Sequence, residues 1–224
     1  MIPELPDLAP LIDHALLDPH QGQAAIERCC DEARHFGFAG VCVASRWVSR
    51  ARERLPLQGS GKGHQPRLVS VVGFPFGAVP AAVKLAEAVQ AADAGADELD
   101  VVPDFGALAD GDSGAVLSDL EAICELGLPV KVILEVSRLN LEALELLVEI
   151  SIDAGARFLK TGSGFGAPVT VEQVNHLQGL ARGRAAVKAA GGIAELDQAL
   201  ALVAAGASRL GTSRGVALMQ ALRS

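Results

Sequence analysis

Two lysines stand where apolar stretches stop. In "RFLKTGSGFG" Lys160 closes a short apolar run, and a small, glycine-rich, hydroxyl-bearing loop follows. In "AAVKAAGGI" Lys188 does the same, ahead of Gly191 and Gly192. One lysine in such a place is ordinarily a solvated surface side chain. Two of them, each among small neighbours, allow another chemistry. If the two ammonium groups lie close, each disfavours protonation of the other. A neutral lysine amine is the nucleophile that forms an imine with a carbonyl. Asp100, ending "ADELD", would then supply a proton acceptor and donor beside them. Asp13 and Glu135 are further acids at comparable positions.

These residues meet only if their strands end at one place, and the repeats suggest how. "DAGADELD", "DAGARFLK" and "AAGASRLG" each read as a helix end, a glycine and a short strand. They recur about 50–60 residues apart, which fits a βα unit occurring twice per interval. Strands are expected near Leu11–His14, Gly40–Val43, Leu68–Gly73, Glu98–Val102, Val130–Val136, Phe158–Lys160, Ala186–Ala189 and Arg209–Gly211. Helical patterns lie between, as in Ala81–Ala94, Leu141–Ala154 and Leu196–Ala205. This alternation predicts a single (β/α)8 barrel domain over residues 1–224, with the strand-end residues converging on a pocket at the C-terminal face. An open doubly wound sheet is the alternative, but no Gly-x-Gly-x-x-Gly follows the first strand.

The glycine-rich loops after strands six, seven and eight would face that same pocket. They carry Thr161, Ser163 and Gly164, then Gly191 and Gly192, then Gly211 and Ser213. Tight βα turns also favour glycine. Three such loops in succession, with backbone N–H groups and helix N-termini exposed, favour phosphate binding.

Composition removes other classes. The net charge is −8 and the isoelectric point about 5.1, so nucleic acid and anionic membranes are poor partners. No apolar run reaches the ~20 residues of a membrane-spanning helix. The start, "MIPELPDLAP", lacks the basic, then apolar, pattern of a signal peptide. A cytoplasmic protein is expected. Cys29, Cys30, Cys42 and Cys124 form no CxxC pair and read as small buried side chains. The five histidines are scattered, and neither a metal site nor a hydrolase triad can be assembled from them. "GSGKGHQP", Gly59 to Pro66, imitates a phosphate loop but falls between a helix and a strand, so it is expected as a surface loop on the far face.

The motifs "IDHALL", "VVGFPFGA", "ADELDVV", "VKVILE", "FLKTGSGF", "VKAAGGI" and "RLGTSRGVAL" together resemble deoxyribose-phosphate aldolase, in its order and spacing over nearly the full length. The resemblance implies a metal- and cofactor-free imine aldolase. Such an enzyme cleaves 2-deoxy-D-ribose 5-phosphate reversibly to glyceraldehyde 3-phosphate and acetaldehyde. It implies that Lys160 is the imine lysine, Lys188 the second lysine and Asp100 the catalytic aspartate. Gly191, Gly192 and the "GTSRG" turn would be phosphate loops, and Asp13 would join the pocket's hydrogen-bond network. The partners implied are small phosphorylated sugars and aldehydes, with a homodimer left open. The sequence departs from the family at Gly162, Ala15, Ala44 and Asp18, and it contains no tyrosine to match the proton-shuttling tail residue of some members. Two rival readings are a sugar-phosphate isomerase or epimerase on the same barrel, and a silent sugar-phosphate binder.

Overall fold

The structure is a computed structural model that describes residues 7–55 and 65–223. The signal-peptide reading of the first six residues, and the loop expected over Gly59 to Pro66 as far as His64, lie outside the described residues. Eight strands run β1 (Ile12–Leu16), β2 (Gly40–Ala44), β3 (Arg67–Val72), β4 (Glu98–Val101), β5 (Val130–Ile133), β6 (Phe158–Lys160), β7 (Ala186–Ala190) and β8 (Arg209–Thr212). All pair in parallel, each with the next, and β8 closes on β1. The helices are α1 (Gln23–Phe36), α2 (Val48–Arg54), α3 (Ala81–Asp93), α4 (Phe105–Ala109), α5 (Ser113–Cys124), α6 (Leu141–Asp153), α7 (Val171–Ala181), α8 (Leu196–Ala204) and α9 (Gly215–Leu222). This is the expected (β/α)8 barrel, and no described helix is long and apolar enough to cross a membrane.

Period-two alternation divides every strand between two environments. Val41, Leu68, Leu99, Val132, Leu159, Val187 and Leu210 are fully buried outward, against the helices. Each such side chain contributes about 1.5–3 kcal/mol by leaving water. Their i±1 neighbours point into the barrel. Three elements place the site's loops. Asn140 caps α6 through the Ala143 N–H. Thr170 and Gln173 form a reciprocal capping box at the start of α7. The three repeat glycines, Gly95, Gly155 and Gly206, all take positive φ after a helix and turn the chain into the next strand.

β4 ends one residue early, at Val101, and β5 is shortened more: it stops at Ile133, where the apolar run suggested continuation to Val136. Glu135 adopts a left-handed conformation, φ 48°, and starts a 3-10 turn. Strand pairing cannot continue through that geometry.

Candidate active site

Register brings the two lysines together: Lys160 on β6 lies directly opposite Lys188 on β7. Asp100 on β4 lies opposite Lys131 on β5. Going inward by alternation are also Asp13, Glu98 and Arg209. Their side chains join in a closed ring of alternating charge. Asp100 accepts from Lys188 at 2.8 Å; Lys188 lies 2.6 Å from Asp13; Asp13 holds Arg209 at 2.5 Å. Arg209 reaches Glu98 at 3.2 Å, Glu98 lies 2.6 Å from Lys131, and Lys131 returns to Asp100 at 2.8 Å. The Asp13–Lys188 and Glu98–Lys131 contacts are ionic ones without hydrogen-bond alignment.

Three carboxylates thus face three cations, and Lys160 is the extra one. Its Nζ hangs from the ring at a single point, Asp100 Oδ2, at 2.9 Å. It is 3% exposed and lines a cavity of about 370 Å³ at the C-terminal mouth. Arg67 touches Glu98 at 3.3 Å from the opposite end and is 45% exposed.

The ring fixes protonation states. Burial alone would push Asp100 up, but Lys131, Lys160 and Lys188 outweigh it and hold the carboxyl well below its ordinary range. Burial opposes Asp13 in the same way, and Lys188, Arg209 and Lys131 bring it below the ordinary value. Burial favours the neutral form of Lys188, yet Asp100 and Asp13 raise it well above a normal lysine. Lys188 is therefore an ammonium and Asp100 a carboxylate, the opposite of a mutually neutralised lysine pair.

The cavity is lined by Lys160, Lys188, Ser163, Gly164, Gly191, Gly192, Gly211 and Ser213 among the expected residues. Asp100 stands behind the two lysines, fully buried. Two expected binding residues do not line it. Asp13 is spent inside the ring. The Thr161 hydroxyl donates to the Ala190 carbonyl at 2.8 Å and accepts from the Ala190 N–H at 2.9 Å, so it ties β6 to β7. Gly211 lies within β8, opposite Asp13 and Ala190. A side chain there would come within 3.1 Å of Lys188, so this glycine makes room for the lysine. Gly191 and Gly192 do form a turn at positive φ, with Gly191 buried and Gly192 exposed, and a Cβ on Gly192 would strike Pro168 at 2.8 Å.

Several site residues escaped the sequence reading. Lys131, Glu98 and Arg209 sit one alternation below the strand ends, and that spacing was visible. Arg214 lay inside a quoted motif; its side chain is exposed and lines the cavity. Glu135, expected among the strand-end acids, instead lies off its strand and accepts from the Ser163 N–H in a short contact. A Cβ on Gly162 would meet that carboxylate at 3.1 Å, a physical reason for glycine at this position. Cys42 also lines the cavity, and burial pushes its thiol up to about 11. His14 faces away from Asp13, bonded to Glu32 at 2.8 Å on the helical side. Among the described residues, no group of three His, Cys, Asp or Glu side chains could hold a metal ion.

No family model matches the chain, but individual relatives do. It is 48% identical over 221 residues to the deoxyribose-phosphate aldolase of Thermosynechococcus vestitus, covering 97% of this chain and 98% of that one. It is 43% identical over 222 residues to that of Thermococcus gammatolerans, covering 97% of each. The solved tetrameric deoxyribose phosphate aldolase of Aeropyrum pernix superposes with TM-score 0.86 at 34% identity, over 97% of this chain and 91% of its own. Another solved aldolase gives TM-score 0.90 at 35% identity, over 100% and 97%. A parallel barrel with a strand-end lysine pair at its mouth, and these likenesses, define an aldolase of the imine-forming class. Within that class, the chain belongs to the deoxyribose-phosphate aldolase family.

Proposed function

We propose that the chain cleaves 2-deoxy-D-ribose 5-phosphate reversibly to D-glyceraldehyde 3-phosphate and acetaldehyde, through an imine on Lys160. The observation that carries this is the ring with one pendant cation. With Lys160 set aside, the ring's three cations, Lys131, Lys188 and Arg209, match its three carboxylates. Lys131 and Lys188 are each held between two of those carboxylates. Removing either from the ring would leave a buried carboxylate short of a partner, at a cost of several kcal/mol, so Lys160, held at one point and lining the cavity, is assigned as the nucleophile.

The chemistry follows from that amine. It adds to the sugar aldehyde, and water leaves to give a protonated imine. The C3 hydroxyl gives up a proton, the C2–C3 bond breaks, and its electron pair moves into the imine as an enamine. Protonation at C2 and hydrolysis release acetaldehyde and restore Lys160. Lys188, an ammonium 2.8 Å from Asp100, is a proton donor beside the reacting atoms, and Asp100 is the base that takes protons back. The electron sink is the imine itself, so no metal or cofactor is needed.

Phosphate is assigned to the glycine-rich part of the cavity lining, formed by Gly191 and Gly192, Ser163 and Gly164, Ser213 and Arg214. Amide donors and one guanidinium bind an anion locally in a chain whose net charge is −8. Replacing Gly191 by valine would strain a backbone at φ 113° and crowd these donors. It should raise KM for the phosphorylated sugar far more than for deoxyribose.

The surroundings proposed are a single barrel domain over residues 1–224, a cytoplasmic location and a homodimer, the last checked by sedimentation. The deciding experiment is borohydride reduction with acetaldehyde followed by peptide mass mapping. Modification of Lys160 is expected. An isomerase, an epimerase or a silent binder would not trap, and a label on Lys188 or Lys131 would overturn the assignment. Activity unchanged in chelator is the accompanying expectation.

A further inference from the structure

A second cavity, about 290 Å³, adjoins the first at the same mouth. The two share Ser163 and Phe165 and are otherwise separately lined. Their chemistry differs. The second is walled by Pro75, Phe76, Phe105, Leu139 and Phe165, and no glycine lines it. Phe165 is the partition: it meets Phe74 edge-on at 5.7 Å and Phe76 at 6.5 Å between ring centroids. Phe76 and Phe165 are 61% and 59% exposed, large apolar side chains held open to water at the rim of a pocket. The charged groups here are Glu135 and Arg138. Glu135 is committed to the Ser163 N–H. Arg138 is exposed at the cavity edge, and no ion pair engages its guanidinium among the described residues. A cavity of roughly 150 Å³ is enough to hold a benzene ring.

We propose that this second cavity is an acceptor subsite for an aryl aldehyde bearing a carboxylate at its far end. The inference rests on the imine reading of Lys160. The aldehyde carbon points past Ser163 toward Lys160, the ring lies between Phe76, Phe165 and Leu139, and the carboxylate meets Arg138. The step balances without a cofactor. Acetaldehyde condenses with Lys160, water leaves, and loss of a proton from its methyl carbon gives the enamine. That carbon attacks the aryl aldehyde carbon, the new C–C bond forms, and the carbonyl oxygen takes a proton. Water hydrolyses the imine and releases a 3-aryl-3-hydroxypropanal. Nothing is oxidised or reduced. The glycine-rich cavity then serves phosphorylated acceptors, and the apolar one serves unphosphorylated aromatic acceptors, from one nucleophile.

The test compares 4-formylbenzoate with benzaldehyde as acceptors at saturating acetaldehyde, alongside cleavage of 2-deoxyribose 5-phosphate. The native chain should favour 4-formylbenzoate by about tenfold in kcat/KM, the order expected of one charge-assisted contact. Arg138→Gln should erase that preference and leave benzaldehyde unchanged. Phe76→Ala should lower both aryl aldehydes by roughly threefold to tenfold, the size of an aromatic contact. Both positions line only the second cavity, and both side chains are exposed, so sugar-phosphate cleavage should stay within about twofold in each variant. A preference that survives Arg138→Gln overturns the subsite. So does a Phe76→Ala variant that alters oligomeric state and not aryl kinetics, which would make this face a contact between copies. Sugar phosphate cleaved with no aryl product overturns the subsite and spares the imine reading. Failure to cleave the sugar phosphate overturns both.

Discussion

The same eight strands carry opposite chemistry on their two faces. Outward, Val41, Leu99, Val132, Leu159 and Leu210 pack on helices with no charge among them. Inward, the β4 to β8 side holds Glu98, Asp100, Lys131, Lys160, Lys188 and Arg209, while the β1 to β3 side keeps a small apolar cluster of Cys42, Val69 and Val71 beside Asp13. The outward face stabilises in proportion to the apolar area it removes from water. The inward face obeys a count. Its ring members hold one another only while cations and carboxylates match, and the cation outside the ring that lines the cavity, Lys160, is where the chemistry is placed. A barrel can therefore be stable through one face and reactive through the other.

The sharpest way to break that contrast is Lys160→Leu. It removes the cation outside the ring and leaves the ring closed. Aldol activity should fall by on the order of 10⁴-fold or more, as for loss of a nucleophile, with no change in thermal midpoint beyond a few degrees. No pH should restore imine trapping. Next is Lys188→Leu. Lys160 would then be the cation left beside Asp100 and would take the vacated place in the ring. Trapping should slow by roughly 10- to 1,000-fold at pH 7. Parent-rate trapping at neutral pH would show that the ring does not govern the nucleophile.

A pair of variants compares the faces directly. Leu147→Ala, in the outer shell, should cost about 2–5 kcal/mol in denaturant unfolding. Glu98→Gln, in the ring, should cost about 3–5 kcal/mol because it leaves buried cations short of a carboxylate. Only Glu98→Gln should change the pH profile of trapping, and it should not slow trapping at neutral pH. An altered profile in Leu147→Ala would erase the distinction. The mildest effect is on acid stability. Asp13 and Asp100 lie below their ordinary value of 3.8 when folded. Their contribution is full above that value and is lost as pH falls through the depressed one. Unfolding free energy should therefore hold from pH 7 to about 5 and drop below about 4, and Asp13→Asn should flatten that acid limb.

Much of this was legible before any coordinates. Strand ends were marked by apolar runs closing on Lys160, Lys188 and Asp100, and Phe158–Lys160 matches its expected bounds. The glycine repeats fixed the βα period. Three things were hidden or passed over, for different reasons. Glu135 was taken as a strand end because only backbone geometry reveals φ 48°. Lys131 sits inside "VKVIL", where flanking valines disguise a lysine that alternation aims inward. The roles of Asp13 and Thr161 depended on which partner each would meet across the barrel, and local sequence does not encode that. The lysine pair was expected to act by mutual repulsion. In the structure both lysine Nζ atoms converge on one carboxylate oxygen, so Asp100 mediates between them.

The closed ring also constrains how this interior can change over generations. Each of its six members answers to two neighbours of opposite sign, so a lone replacement strands a pair. Drift at Asp13, Glu98, Asp100, Lys131, Lys188 or Arg209 must proceed in compensated steps: two positions altered together, or a charge handed from one strand to the next. The outer shell can wander one side chain at a time. A lineage descended from this barrel would inherit its six inner charges as a unit, while Lys160, tied at a single point, could be gained or lost alone.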